Sequence, residues 1–207
     1  TPRGNLFSGQ SSVFYLSGKN WEDAVCKIDD GIHLYWPSIV KKHGWWGDPG
    51  GIKPNKIYEE KVHKIESVLK EAKAYFQDHN NIDLKMESMK GLFNGDKILY
   101  IHANYSADIR KSIEMIKKLN IKKCILVGGE EALSVIDIIK KYQIPLILNR
   151  VHRLPDTEDR AIDEPFVQPQ KLKELDVKFC FGYSGGMEAM GSRNLPFSAG
   201  TAVAYGL

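Results

Sequence analysis

Side chains that can do chemistry follow several apolar segments in the second half of the chain. His102 stands near the end of KILYIHA, His152 lies three residues after IPLILN, and Tyr183 and Ser184 follow VKFCFG. Imidazole, phenol and hydroxyl groups can transfer protons, and imidazole also binds metals. Ligands of strand–helix folds bind where the carboxyl ends of the strands meet. The pattern therefore predicts a candidate catalytic site made of His102, His152, Tyr183 and Ser184.

Other polar or small residues share these strand ends, and they leave a second interpretation open. They are Asn104, Gly128, Gly129, Glu130, Asn149 and Arg150. Such residues could simply cap helices and satisfy loop backbone groups. His102 fits that interpretation least well, because it belongs to the predicted strand and not to the turn after it.

The elements that must position these residues alternate regularly from Asp96 onward. Short segments that are apolar at consecutive positions predict strands covered on both faces, as in a parallel sheet. Segments with apolar residues at helical spacing lie between them. The predicted strands are 97–103, 123–129, 144–149 and 177–183, and the predicted helices are 106–120, 130–142 and 170–175. The fold class is therefore α/β, and both a closed barrel and an open doubly wound sheet fit.

The first part of the chain is less regular. Apolar residues spaced by three and four predict an amphipathic helix over 57–76, and a second helix is expected within 81–96. Residues 1–56 are rich in aromatic residues and glycine, which predicts an irregular insertion anchored by its tryptophans or a lid over a pocket. We expect residues 1–207 to belong to one domain, with βα units over 57–207.

Composition excludes few functions. The chain has 207 residues, 43% of them hydrophobic and 27% charged, with a net charge of +3. That charge is too small to imply a nucleic-acid partner, and no apolar run is long enough for a membrane span. We therefore expect a soluble protein, cytoplasmic or periplasmic in a bacterium. Its three cysteines are spread widely and are expected to be reduced and buried. We expect the sequence to be a segment of a longer chain.

Common catalytic and nucleotide-binding motifs are absent. No GxGxxG or GxxxxGK[ST] follows a predicted strand, which argues against the usual phosphate-binding loops. GYSGG at 182–186 lacks the GxSxG spacing of a nucleophile elbow. A hydrolytic zinc site takes three protein ligands, and the strand ends alone do not supply three.

Four segments together resemble the amidohydrolase superfamily, most nearly the imidazolonepropionase-like amidohydrolases. They are ILYIHANYSADIRKSI, LVGGEEA, VHRLPDTEDRAIDEPF and RNLPFSAGTAVAYGL, in that order. The N-terminal TPRGNLFSGQSSVFYLSG and WEDAVCKIDDGIHLYWPS are also similar to the middle of such chains. The resemblance implies a (β/α)8 TIM-type barrel, of which this segment would hold roughly the second half.

The resemblance also implies a reaction and a cofactor. Members of the family hydrolyse carbon–nitrogen bonds of amides or cyclic amides with a water activated by a divalent metal, most often zinc. His102 matches the fifth-strand histidine and is therefore the implied metal ligand. The sixth-strand histidine falls on Gly128 and the eighth-strand aspartate on Ser184, so the metal site is degenerate. The first-strand histidine pair would lie upstream of this segment.

Three functions follow from this pattern. The first is an amidohydrolase-like hydrolase of carbon–nitrogen bonds with a small amide-type ligand. The second is a catalytically inactive relative that binds a ligand or a partner subunit. The third is a metal-independent enzyme in which His102, His152 and Tyr183 act as acid–base groups. No nucleic-acid or membrane partner is expected. A partial barrel exposes strand edges, so we expect self-association or a partner that completes the barrel.

Overall fold

A computed structural model describes residues 2, 4–45, 48–78, 81–149, 151–155, 160–183 and 188–207. The fold is α/β, and its centre is a sheet of six strands. In their order across the sheet, the strands are β1 (Phe7–Phe14), β2 (Val25–Tyr35), β5 (Ile98–Ala103), β6 (Cys124–Gly128), β7 (Leu146–Leu148) and β8 (Phe179–Phe181). Strands β2, β5, β6, β7 and β8 are parallel, and β1 pairs antiparallel with β2 at the edge.

Helices connect the parallel strands. They are α2 (Tyr58–Gln77), α3 (Leu84–Met89), α4 (Gly91–Asn94), α5 (Ser106–Lys118), α6 (Ile136–Lys141), α7 (Glu164–Glu174) and α8 (Leu195–Ala204), after a short α1 (Trp21–Ala24). Short 3-10 helices cover Ala132–Val135 and Glu188–Asn194. These bounds confirm the α/β class and, from Asp96 onward, the order of the predicted strands and helices. The helix predicted over 170–175 begins earlier, at Glu164, and only Ile136–Lys141 of the helix predicted over 130–142 is α-helical.

The core lies between one face of the sheet and the helices. Alternate strand residues such as Leu34, Leu99, Ile101 and Leu126 are fully buried there, because side chains of a strand point to opposite faces in turn. The helices contribute the apolar stripes that their spacing predicted: Val62, Ile65 and Leu69 from α2, and Ile109, Ile113 and Ile116 from α5. The opposite set of strand residues, which includes both histidines of the site below, forms the second face.

The N-terminal region is more regular than the sequence predicted. Instead of an irregular insertion over 1–56, β1 and the long β2 join the central sheet, and β3 (Val40–Trp45) and β4 (Asp48–Pro54) form a separate two-stranded sheet. The aromatic segment GIHLYW, which suggested tryptophan anchors, is the end of β2 and the turn after it. The segment forms a regular strand because β2 pairs with β5. That partner lies too far along the chain for a local sequence pattern to reveal the pairing.

The cysteines follow the expectation only in part. All three are free, but Cys26 and Cys180 are exposed, and only Cys124 is buried. Cys180 lies on β8 and points away from the helix-covered face, because its neighbours Phe179 and Phe181 point toward the core.

Candidate functional site

His102 lies one residue before the end of β5, at the carboxyl edge of the parallel sheet. It is 8% exposed. In the register of the sheet it is paired with Tyr35, the last residue of β2, and the two rings stack with centroids 3.9 Å apart. The carbonyl of His102 accepts a hydrogen bond of 3.1 Å from the backbone N–H of Trp36. The histidine is therefore fixed both through its ring and through its backbone.

A second histidine completes the site. His33 of β2 is 3% exposed, and its Nδ1 atom lies 2.8 Å from Nε2 of His102. Its Nε2 atom lies 2.8 Å from the hydroxyl of Ser11 on β1, and its ring stacks on Tyr100 with centroids 4.7 Å apart. Three neighbouring strands thus hold Ser11, His33 and His102 in one hydrogen-bonded row.

Both imidazoles are neutral near pH 7. Burial lowers the pKa of His33 to about 4. Burial, reinforced by repulsion from His33, lowers the pKa of His102 to about 3. A neutral imidazole carries one proton and one lone pair, so each ring can donate through one nitrogen and accept through the other. The site is therefore suited to proton transfer or to binding an electron-pair acceptor, and not to holding a positive charge.

A second polar cluster, formed by Asp30, Tyr100 and Lys27, adjoins His33 through the Tyr100 ring. The Tyr100 hydroxyl donates a hydrogen bond of 2.5 Å to the carboxylate of Asp30, which also forms an ion pair of 2.9 Å with Lys27. Burial opposes the charge on Asp30, but the hydrogen bonds from Tyr100 and Lys27 outweigh it and keep the pKa of that carboxyl below its usual value. This network holds the Tyr100 ring against His33.

The other predicted site residues lie against a different element. Nε2 of His152 is 2.6 Å from the hydroxyl of Thr201, and the Tyr183 hydroxyl is 3.4 Å from that of Ser198. Both partners belong to α8, the helix that carries the NLPFSAGT segment. The structure therefore joins His152 and Tyr183 to α8 and brings His102 together with His33 and Ser11. Ser184 lies outside the described residues.

Gly128, the position to which the resemblance assigns the sixth-strand histidine, has no room for a side chain while Asn104 keeps its place. Its φ of +101° favours glycine, and a Cβ there would collide with Oδ1 of Asn104. That Oδ1 atom is buried and has no hydrogen-bond partner among the described residues. The side chain of Asn104 thus occupies the space beside the end of β6.

The donors for a metal are incomplete within the described part of the chain. No group of three or more His, Cys, Asp or Glu residues that could hold an ion occurs there. The row offers two imidazoles, one nitrogen of each being spent on the other, whereas zinc in a hydrolase takes three protein ligands. These residues alone do not fit a hydrolytic metal site.

His33 and Ser11 were missed by the sequence analysis. A signal existed: GIHLYW, like ILYIHA, is a largely apolar segment that contains one histidine. The charged KIDD before it and the glycine-rich region after it favoured an irregular segment instead. Nothing local to SGQSSV indicates that Ser11 contacts His33, because that contact spans 22 residues.

Comparison with known proteins now adds to this geometry. No protein-family model matches the sequence, and no curated protein matches it. The crystal structure of an amidohydrolase from Thermotoga maritima MSB8 superimposes with a TM-score of 0.70 at 18% sequence identity. This chain has an amidohydrolase-like fold. The match covers 98% of this chain and 54% of the Thermotoga protein, so the chain spans about half the length of that relative.

At that level of identity the likeness concerns the fold alone. The amidohydrolase-like α/β fold places His33 and His102 on adjacent parallel strands, where such sheets build their sites. Among the helices of the described residues, none has the length and apolar character needed to cross a membrane.

Proposed function

We propose that this chain is part of a hydrolase that cleaves carbon–nitrogen bonds of non-peptide or cyclic amides. One observation carries the proposal: a neutral, buried histidine, His102, lies at the carboxyl edge of the parallel sheet. The fold around it is amidohydrolase-like. Catalytic groups of βα proteins come from this edge. A small amide-type molecule is the proposed ligand.

The proposed architecture is part of a (β/α)8 barrel. Support comes from the order of the parallel strands, β2-β5-β6-β7-β8, which follows the chain without reversal. Successive strands of a barrel are neighbours in this way, whereas a doubly wound sheet reverses its order at a switch point. A second copy or another part of a longer protein would then cover the β1 and β8 edges.

The chemistry that this chain's own residues can supply is proton transfer and orientation. His102 is held neutral, its ring is clamped by Tyr35, and its Nε2 atom is engaged by His33. A divalent metal such as zinc would have to draw further ligands from outside the described residues. We place His102 nearest the reacting amide, with His152 and Tyr183 as proposed ligand-contacting residues on the side of α8.

A catalytically inactive, ligand-binding relative is the second candidate. Two observations favour it. Asn104 occupies the space that a side chain at position 128 would need, and the described residues contain no group of three or more His, Cys, Asp or Glu residues that could hold a metal ion. A protein of this kind would keep the fold and bind an amide-type ligand without turnover.

Two measurements on the full-length protein separate these candidates. The first is its metal content, and the second is hydrolysis of a panel of lactams and non-peptide amides. The hydrolase proposal expects turnover of at least one compound, lost in His102→Ala but retained in His63→Ala, a change on the exposed face of α2. Turnover that survives His102→Ala would refute the role of His102. Binding without turnover of any compound would favour the inactive relative.

A further inference from the structure

The row formed by Ser11, His33 and His102 has the connectivity of a nucleophile, a base and a residue that orients the base. The Ser11 hydroxyl is 2.8 Å from Nε2 of His33, and Nδ1 of the same ring is 2.8 Å from Nε2 of His102. Hydroxyl nucleophiles are recognised by this geometry, in which a base accepts the hydroxyl proton and a third group fixes the base. Here the third group is an imidazole.

We propose that Ser11 is a nucleophile activated by His33, and that it gives this protein a metal-independent acyl-transfer activity toward carboxylic esters with good leaving groups. This activity shares His102 with the amide hydrolysis proposed above, but it needs no metal and uses no residue of α8.

The hydrogen bonds set a consistent proton arrangement for this role. If Nε2 of His33 accepts from Ser11, then its Nδ1 carries the proton and donates to Nε2 of His102. The proton of His102 then resides on Nδ1. Stacking of Tyr100 on His33 and of Tyr35 on His102 fixes the orientation of both rings, which are tilted by 40° to each other.

The pairing of β1 with β2 is irregular on both sides of Ser11. The pairing of β1 with β2 shifts register between Phe7 and Gly9 and again between Ser11 and Val13. Irregularities of this kind re-aim side chains and are frequent beside active sites. Ser11 is half-buried on β1, so its hydroxyl is within reach of a ligand.

The proposed reaction balances as an ordinary two-step ester hydrolysis. The Ser11 oxygen bonds to the acyl carbon as its proton moves to Nε2 of His33, and the bond to the alkoxide breaks as the alkoxide takes that proton. Water then attacks the acyl-serine and gives a proton to Nε2 of His33. Ser11 recovers this proton as the carboxylic acid leaves.

Ester substrates follow from the groups that the row supplies. The row offers a hydroxyl and an imidazole that accepts its proton. An ester with a good leaving group needs little more than attack by that hydroxyl, because its leaving oxygen departs without prior protonation, whereas the amine of an amide has to be protonated as it leaves.

The test uses the full chain with a fluorophosphonate probe and p-nitrophenyl acetate. Mass spectrometry of the labelled wild-type protein should place the phosphonate on Ser11. Ser11→Ala should lose both labelling and ester hydrolysis, and His33→Gln should slow both by about 100-fold or more. Ser12→Ala is the matched control, because the neighbouring Ser12 hydroxyl accepts a hydrogen bond of 3.0 Å from the backbone of Asp29 and does not contact His33.

A chelator completes the test. A chelator should leave labelling unchanged, even if it abolishes amide hydrolysis. Phosphonate on another residue, no label on folded wild-type protein, or full ester hydrolysis by Ser11→Ala would each overturn the proposal.

Discussion

Nδ1 of His33 and Nε2 of His102 lie 2.8 Å apart on two neighbouring parallel strands, with both rings buried. Because both nitrogens face each other at hydrogen-bond distance, one proton is shared between them. The two neutral rings carry one proton each, and a further proton on the pair would place buried positive charge where no described carboxylate contacts either ring. Burial therefore holds the pKa of each histidine well below that of an exposed imidazole, and repulsion from His33 lowers the pKa of His102 further.

The first prediction is a fall in stability in mild acid. The unfolded chain binds protons at both histidines below about pH 6.5, while the folded protein resists them until about pH 4 at His33 and about pH 3 at His102. The free energy of unfolding should therefore decrease as the pH drops through this window, by up to about 1.4 kcal/mol per pH unit for each histidine. Urea unfolding at about pH 7 and about pH 5 measures it.

Substitution isolates the histidine contribution from that of the carboxylates. His33→Gln should show a shallower decrease than wild type between these pH values, because one buried imidazole that resists protonation is gone. His63→Gln, on the exposed face of α2, should keep the wild-type slope. Equal slopes for wild type and His33→Gln would contradict the assignment.

The sequence was sufficient for the parts of the fold in which local pattern and burial agree. β5 and β6 are continuous apolar segments, and α2 and α5 carry apolar stripes, so their types followed from periodicity. The apolar pattern of KILYIHA placed His102 near a strand end. His33 was out of reach, because its contact with His102 spans 69 residues and depends on which strands become neighbours. The filling of the Gly128 position by Asn104 likewise depends on a tertiary contact.

Gly31 should be essential for the stack on His33. A Cβ at this position would lie 2.5 Å from the Tyr100 ring and would press against the carbonyl oxygen of Ile98. Gly31→Ala should therefore destabilise the fold by about 1–3 kcal/mol and displace Tyr100 from His33. Gly51→Ala is the control, because a Cβ at Gly51 on β4 meets nothing within 4 Å. Urea unfolding and near-ultraviolet circular dichroism measure the two effects, and a neutral Gly31→Ala would contradict the packing.

Restoring a side chain at Gly128 should be costly, and the cost should depend on Asn104. Gly128→Ala meets both an unfavourable positive φ and the Oδ1 atom of Asn104. The φ alone costs about 1–2 kcal/mol. Asn104→Ala removes the collision but not the backbone strain, so the double variant should be more stable than the sum of the single effects by about 0.5–3 kcal/mol.

A double-mutant cycle of unfolding free energies measures this coupling. Additive effects at the two positions would show that Asn104 does not occupy the space beside β6. The same cycle measures how strongly this fold opposes a histidine at position 128, the residue type that the resemblance implies there. Such a histidine would require both the backbone and Asn104 to rearrange.

The hairpin of β3 and β4 should open more readily than the central sheet, as expected of a lid. It forms a two-stranded sheet of its own, and such hairpins are only marginally stable by themselves. Asn55 fastens its base, because its side-chain amide donates a hydrogen bond of 2.7 Å to the carbonyl of Ser38. Trypsin should therefore cut after Lys41 before it cuts the helices, and Asn55→Ala should speed that cut several-fold. Asn81→Ala, at an exposed position outside the hairpin, should leave the rate unchanged. Initial cleavage in α2 or α5, with the hairpin intact, would show that β3 and β4 are as firmly held as the core.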